Sequence, residues 1–130
     1  MRYLLMFYAD ESDWLGLPEA DRGAAIGRIG EWYGALVRGG KIVDGKRLAG
    51  GKRATTTVRL GRVQRSGEAP VVSDGPFVEA KESVGSYAIV EVADRAEAIE
   101  IAKTWPVGGV IEVRPIDEAG QAGERAASAR

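Results

Sequence analysis

The residues best equipped for chemistry crowd into one short stretch, Asp74-Gly75-Pro76-Phe77-Val78-Glu79-Ala80-Lys81-Glu82. Carboxylates held close together and partly desolvated have their pKa values pushed apart, which supplies an acid and a base from one residue type. Asp74 and Glu79 are the candidate catalytic pair. Glu82 can converge on them, with Lys81 as counter-charge. Proton abstraction beside a carbonyl, or a small-ring isomerisation, suits such a set.

The rest of the chain offers few competitors. It has no cysteine and no histidine. Thiolate catalysis, cysteine-held zinc or iron–sulfur clusters, Ser-His-Asp arrangements and histidine metal or haem sites are therefore excluded. No EF-hand spacing occurs, so no metal site is assigned, and no cofactor is expected. Acid–base work falls to Asp, Glu, Lys or Tyr. Tyr8, Asp10 and Tyr87 are further candidates for lining a cleft, together with Phe77.

The same stretch also reads without any chemistry. Asp74 can close a turn on its own backbone, Pro76 restricts Gly75, and Phe77 is aimed inward or across a cleft. Glu79, Lys81 and Glu82 are then a solvated charge set. Both readings stay open on the residues alone.

Positioning these residues requires a scaffold, and its elements are legible. At 130 residues, 45% of them apolar and 28% charged, the chain suits one soluble domain. A net charge of −1 argues against a general electrostatic grip on nucleic acid or an anionic membrane. No apolar run is long enough to span a bilayer. The apolar start is followed at once by Asp10 and Glu11, so it reads as a strand rather than a leader, and a cytoplasmic protein is the default.

Tyr3–Tyr8 is apolar on both faces, as a central strand covered on both sides would be. Asp10–Gly16 reads as a polar loop carrying Trp14. Pro18 starts a helix that runs to Arg38, with Ile26, Ile29, Tyr33, Leu36 and Val37 on one face and Trp32 at its edge. Gly23, Gly27, Gly30 and Gly34 line another side, either for close approach of a partner or as drift on a tolerant face. Gly39-Gly40 ends the helix.

Ile42–Leu48 is a strand with a bulge or bend at Asp44-Gly45. The basic, glycine-containing segment 46–53 lacks a phosphate-loop pattern and reads as a solvated connector. Thr55–Leu60 and Pro70–Ser73 read as an inserted hairpin. Ser86–Val92 is another inner strand. Asp94 with Glu97 opens a second helix, whose apolar face is Ala98, Ile99, Ala102 and Trp105, and Pro106 stops it. Val110–Ile116 is the last strand. The folded domain is thus 1–116, and 117–130 is expected to be a loose tail.

Without the hairpin the order is β-α-β, β-α-β, an α+β, ferredoxin-like pattern with two helices on one face of an antiparallel sheet. The second face of the first strand needs a cover. The same face of a second copy is the simplest one, so a homodimer through the sheet face is expected. Trp14, Trp32 and Trp105 serve packing, or line an apolar pocket.

The nine-residue run at Asp74–Glu82, the opening Tyr8-Ala9-Asp10-Glu11 and the ending Ile111–Ile116 resemble the YCII-related, DGPF-domain family. The resemblance implies a bacterial protein with a dimeric α+β barrel fold, in a family largely without an assigned reaction. Relatives with a His–Asp pair proposed as an active site cannot lend it whole to a chain without histidine. Two functions are therefore expected: a small-molecule enzyme using carboxylates at this motif, or a non-catalytic dimeric module partnering a sigma-factor-like transcription regulator.

Overall fold

The computed structural model describes residues 1–61, 67, 69–78 and 82–118. Among the described residues six strands and three α-helices follow one another, with a short 3-10 helix at Gly51–Ala54: β1 (Arg2–Asp10), α1 (Glu11–Leu15), α2 (Glu19–Arg38), β2 (Ile42–Arg47), β3 (Thr56–Arg59), β4 (Val71–Asp74), β5 (Glu82–Glu91), α3 (Arg95–Lys103) and β6 (Val110–Pro115). Four of the strands form an antiparallel sheet in the order β2-β5-β1-β6. β3 and β4 pair antiparallel in a separate two-stranded sheet. This is an α+β architecture with an open sheet, compatible with a ferredoxin-like fold.

The central strand explains the layering. Tyr3, Leu5 and Phe7 alternate along β1 and are buried with Ala88 and Val90 of β5, Ile42 of β2, and Ala98 and Ile101 of α3. Leu5 and Val90 are fully enclosed, each contributing roughly 1.5–3 kcal/mol by burial. α2 adds Ala25, Trp32, Tyr33 and Leu36 to the same side. Phe7, Trp32 and Trp105 form an aromatic cluster with centroids 4.3–5.9 Å apart. The Trp32 indole N–H donates to Thr104 Oγ1 at 2.7 Å.

Both long helices are punctuated as their sequences demand. α2 ends on a left-handed Gly40 at φ 72°, with Lys41 N–H reaching back to Leu36 O at 2.9 Å. Asp94 caps α3, accepting from Glu97 N–H at 2.9 Å, while the Glu97 carboxylate takes Ala93 N–H at 3.2 Å.

Several expectations need correction. Asp10–Gly16 is not a loop, because Asp10 accepts from Ser12 N–H at 2.9 Å and so starts α1. On α2, Ile26 and Val37 point outward, 49% and 45% exposed, and Ala25 faces the core instead. On α3 it is Ile101, not Ile99, that is buried with Ala98. β5 begins at Glu82, since Glu82–Val84 pair with Asp10–Tyr8 although they lack apolar alternation. The bulge in β2 falls between Ile42 and Asp44, one step before the expected place. A side chain at Gly23, Gly27 or Gly30 would meet nothing within 4 Å, and at Gly34 only the Arg38 guanidinium. Of the tail expected from Asp117, only Asp117 and Glu118 are among the described residues.

Candidate functional site

The alternation that buries Tyr3, Leu5 and Phe7 sends Leu4, Met6 and Tyr8 to the opposite face. Strand register then fixes what lies beside them. One row across this open face reads Asp44, Ile89, Leu4, Arg114. The next reads Lys46, Tyr87, Met6, Glu112. The third reads Val84, Tyr8, Val110, with Leu48 alongside through its N–H to Gly85 O at 2.8 Å. The centre is apolar and aromatic; the first two rows end in charges.

At the third row the face opens into a cavity of about 540 Å³. Its floor is Tyr8, Val84, Val110 and Glu112. The opposing wall comes from Thr55 at the foot of β3, and from Pro76 and Val78 just after β4. Glu82 and Leu48 stand at its margins. The wall is held by backbone bonds: Gly75 N–H donates to Thr55 O at 2.7 Å, and Thr57 Oγ1 donates to Gly75 O at 2.6 Å. Gly75 sits at φ 91°, a conformation that suits glycine, which is why the turn can fold back here.

Two tyrosine–carboxylate pairs mark the open face. The Glu112 carboxylate, as hydrogen-bond partner of Tyr8, raises its phenol above the ordinary 10.0, with burial and the carboxylate's charge adding to it. On the other side Tyr87 donates to Asp44 Oδ2 at 3.0 Å, and Lys46 pairs with Asp44 Oδ1 at 2.9 Å. Lys46 and Tyr87 hold the Asp44 carboxyl below its usual range, while Asp44 pushes both partners up.

The residues expected from sequence divide among several places. Tyr8 and Glu82 line the cavity, as do Pro76 and Val78 of the motif. Tyr87 lies on the same face, one row away. Asp10 serves as the α1 cap, bonded to Ser12 Oγ at 2.6 Å as well as to its N–H. Asp74 is exposed and is not among the described residues lining the cavity. Glu79 and Lys81 lie outside the described residues. Phe77 does not point inward: it is 68% exposed, with the Arg59 guanidinium 5.0 Å from its ring centre. Phe7, Trp32 and Trp105 pack together on the helix side of the sheet, whereas Pro76, Val78 and Glu82 of the motif line the cavity on the other side.

Glu112 and Asp44 were missed because each looks like an ordinary solvent-facing charge on an edge strand. Only register brings Glu112 beside Tyr8. Segment 46–53 closes on an internal anion. The Glu11 carboxylate accepts from Lys52 N–H at 3.3 Å, and a Cβ at Gly51 would collide with it. Among the described residues no cluster of three His, Cys, Asp or Glu is placed to hold a metal ion, and no helix is long and apolar enough to cross a membrane.

Residues 1–119 match the YCII-related domain. The chain belongs to the YCII-related family. No curated protein matches it.

Proposed function

We propose that this YCII-related chain is a homodimeric, cofactor-independent enzyme that moves a proton on a small, largely apolar molecule. The observation that carries the reading is the cavity, which sets Glu112, Glu82 and the Tyr8 hydroxyl against apolar walls. A ligand would lay its apolar body on Pro76, Val78 and Val84 and turn a hydrogen-bond donor or an acidic C–H toward the carboxylates. Glu112 takes the proton, and the same group returns it to a neighbouring atom, so the net change is an isomerisation with no redox partner. Tyr8, the diagonal neighbour of Glu112 across β1 and β6, orients the carboxylate. Asp74 and Glu79 flank the Pro76–Val78 wall in sequence and stay candidate acid–base groups of the reaction. A second copy covers the open sheet face and completes the dimeric α+β barrel.

The test begins with a thermal-shift screen of small hydroxylated, carbonyl and amine compounds, repeated on Glu112→Gln. Bound compounds are then incubated in deuterated buffer. Stabilisation that Glu112→Gln abolishes, with deuterium entering the compound, is the expected result. Unchanged binding in Glu112→Gln would sink the reading.

A different observation favours a binding module that docks on a protein such as a transcription regulator. Val58, Val71 and Val72 on the two-stranded sheet are 54%, 58% and 65% exposed. Ligand binding without any deuterium entry supports this second reading, and deuterium entry contradicts it.

A further inference from the structure

The charges that end the rows of the open face are not scattered. On β2 they run Asp44 then Lys46; on β6, in the same two rows, they run Arg114 then Glu112. Each row therefore carries opposite signs at its two ends, and the sign alternates from row to row. In the third row both ends are apolar and unusually bare, Leu48 at 47% and Val110 at 48% exposure. Within one chain the two ends cannot meet, since three strand spacings hold them on the order of 14 Å apart.

We infer that this pattern is a self-complementary lock for a second copy of the chain. Consider a two-fold axis running parallel to the central strands between two such faces. It lays β2 of one subunit over β6 of the other, row upon row. Asp44 then meets Arg114 of the partner subunit, Lys46 meets Glu112 of the partner subunit, and Leu48 meets Val110 of the partner subunit. The apolar centres fall on one another, Leu4 over Ile89 and Met6 over Tyr87 of the partner subunit. An axis across the strands pairs the charges in only one setting, and there it shifts the third row off its apolar match. Every edge position fits in the parallel arrangement, and the partner argued for is chemically this chain itself.

The lock reaches the cavity. Glu112 belongs to its floor, and the described residues lining the cavity include no cation, so Lys46 of the partner subunit arrives beside it as one. The site is then composite, and dimer formation decides the charge a ligand meets. The inference rests on the dimer proposed above and adds its register.

The experiment uses two single variants, Lys46→Glu and Glu112→Lys, followed by sedimentation equilibrium, with circular dichroism to confirm folding. Alone, each variant sets like charges against each other at both contacts of its dimer, and its dissociation constant should rise about tenfold or more. Mixed in equal amounts, they should recover wild-type dimer, because both contacts of the mixed pair are again Glu against Lys. Any damage within each chain persists in the mixture, so recovery reads only the contact between chains. Asp44→Lys mixed with Arg114→Glu repeats the test independently if the first pair folds poorly. Variants that dimerise as tightly as wild type, or a mixture that does not recover, overturn the register while leaving the dimer standing. A wild-type monomer at micromolar concentration overturns the dimer and the lock together.

Discussion

Leu4 and Leu5 are neighbours on β1, yet they should respond to truncation in different ways. Leu5 is fully enclosed between Ala88 and Val113 on the helix side. Leu5→Ala leaves a cavity that small, strand-bound neighbours cannot fill, and should cost about 3 kcal/mol. Leu4 is half-buried on the open face. Leu4→Ala removes about three carbon groups worth ~0.8 kcal/mol each when buried. On a face left to solvent, about half of that is lost, near 1 kcal/mol. Under a second copy the full amount is lost from each chain, about 2.5 kcal/mol, before any cavity term. Urea unfolding at two protein concentrations about fiftyfold apart reads the difference, because a dimer gains roughly 2.3 kcal/mol across that range. The expected outcome is a wild-type midpoint that climbs with concentration and a Leu4→Ala cost near the larger figure. A concentration-independent midpoint with a Leu4→Ala cost near 1 kcal/mol would refute the covered face.

Three further outcomes follow from named contacts. Removing the Glu112 charge should let Tyr8 titrate closer to the ordinary 10.0, so ultraviolet titration of Glu112→Gln should show one phenol moving down; the stability tied to that phenol is present below pH 10 and is lost above it, and an unmoved titration curve would break the Tyr8–Glu112 pair. At Gly45 an added Cβ would lie 2.9 Å from Tyr33 Cε2 and 3.1 Å from the Tyr87 carbonyl, so Gly45→Ala should destabilise by about 1–3 kcal/mol in urea, and a neutral result would show β2 free to shift. Lys41 and the Ala93 N–H hold the Glu97 carboxyl below its ordinary 4.5; its contribution is present above that value and lost as pH falls through the lowered one, so Glu97→Gln should flatten the acid limb of stability, and an unchanged limb would show that the pair does not contribute.

Much of the fold was legible because local rules and tertiary packing agree. Pro18, Gly39-Gly40 and Asp94 punctuate the helices where the chain actually turns, and the buried Tyr3-Leu5-Phe7 alternation sits inside the run read as the central strand. The site was less legible. The sequence drew attention to Asp74 and Phe77 because charge and an aromatic stood together in one run, but pairing to Thr56 exposes Asp74, and Phe77 lies beside Arg59 outside the core. Glu112 lies far along the chain from Tyr8, and no local pattern announces their meeting; it follows from which residues of β1 and β6 are opposed. A short helix rich in alanine defines its inner face poorly, so its sequence does not single out Ile101 over Ile99 as the buried residue. Asp10 carried a usable signal, since Asp before Glu-Ser-Asp is a helix start.

The proposed function requires that the cavity beneath the Pro76–Val78 wall receives ligands. Crystals of the protein soaked with a library of small carbonyl, hydroxyl and amine fragments test this most directly. Fragments are expected between Pro76 and Val84, with a polar atom on Glu112 or Glu82, and the cavity is expected to stay empty in crystals of Glu112→Gln soaked alike. Fragments that settle elsewhere on the surface while this cavity stays empty in the wild type would contradict it.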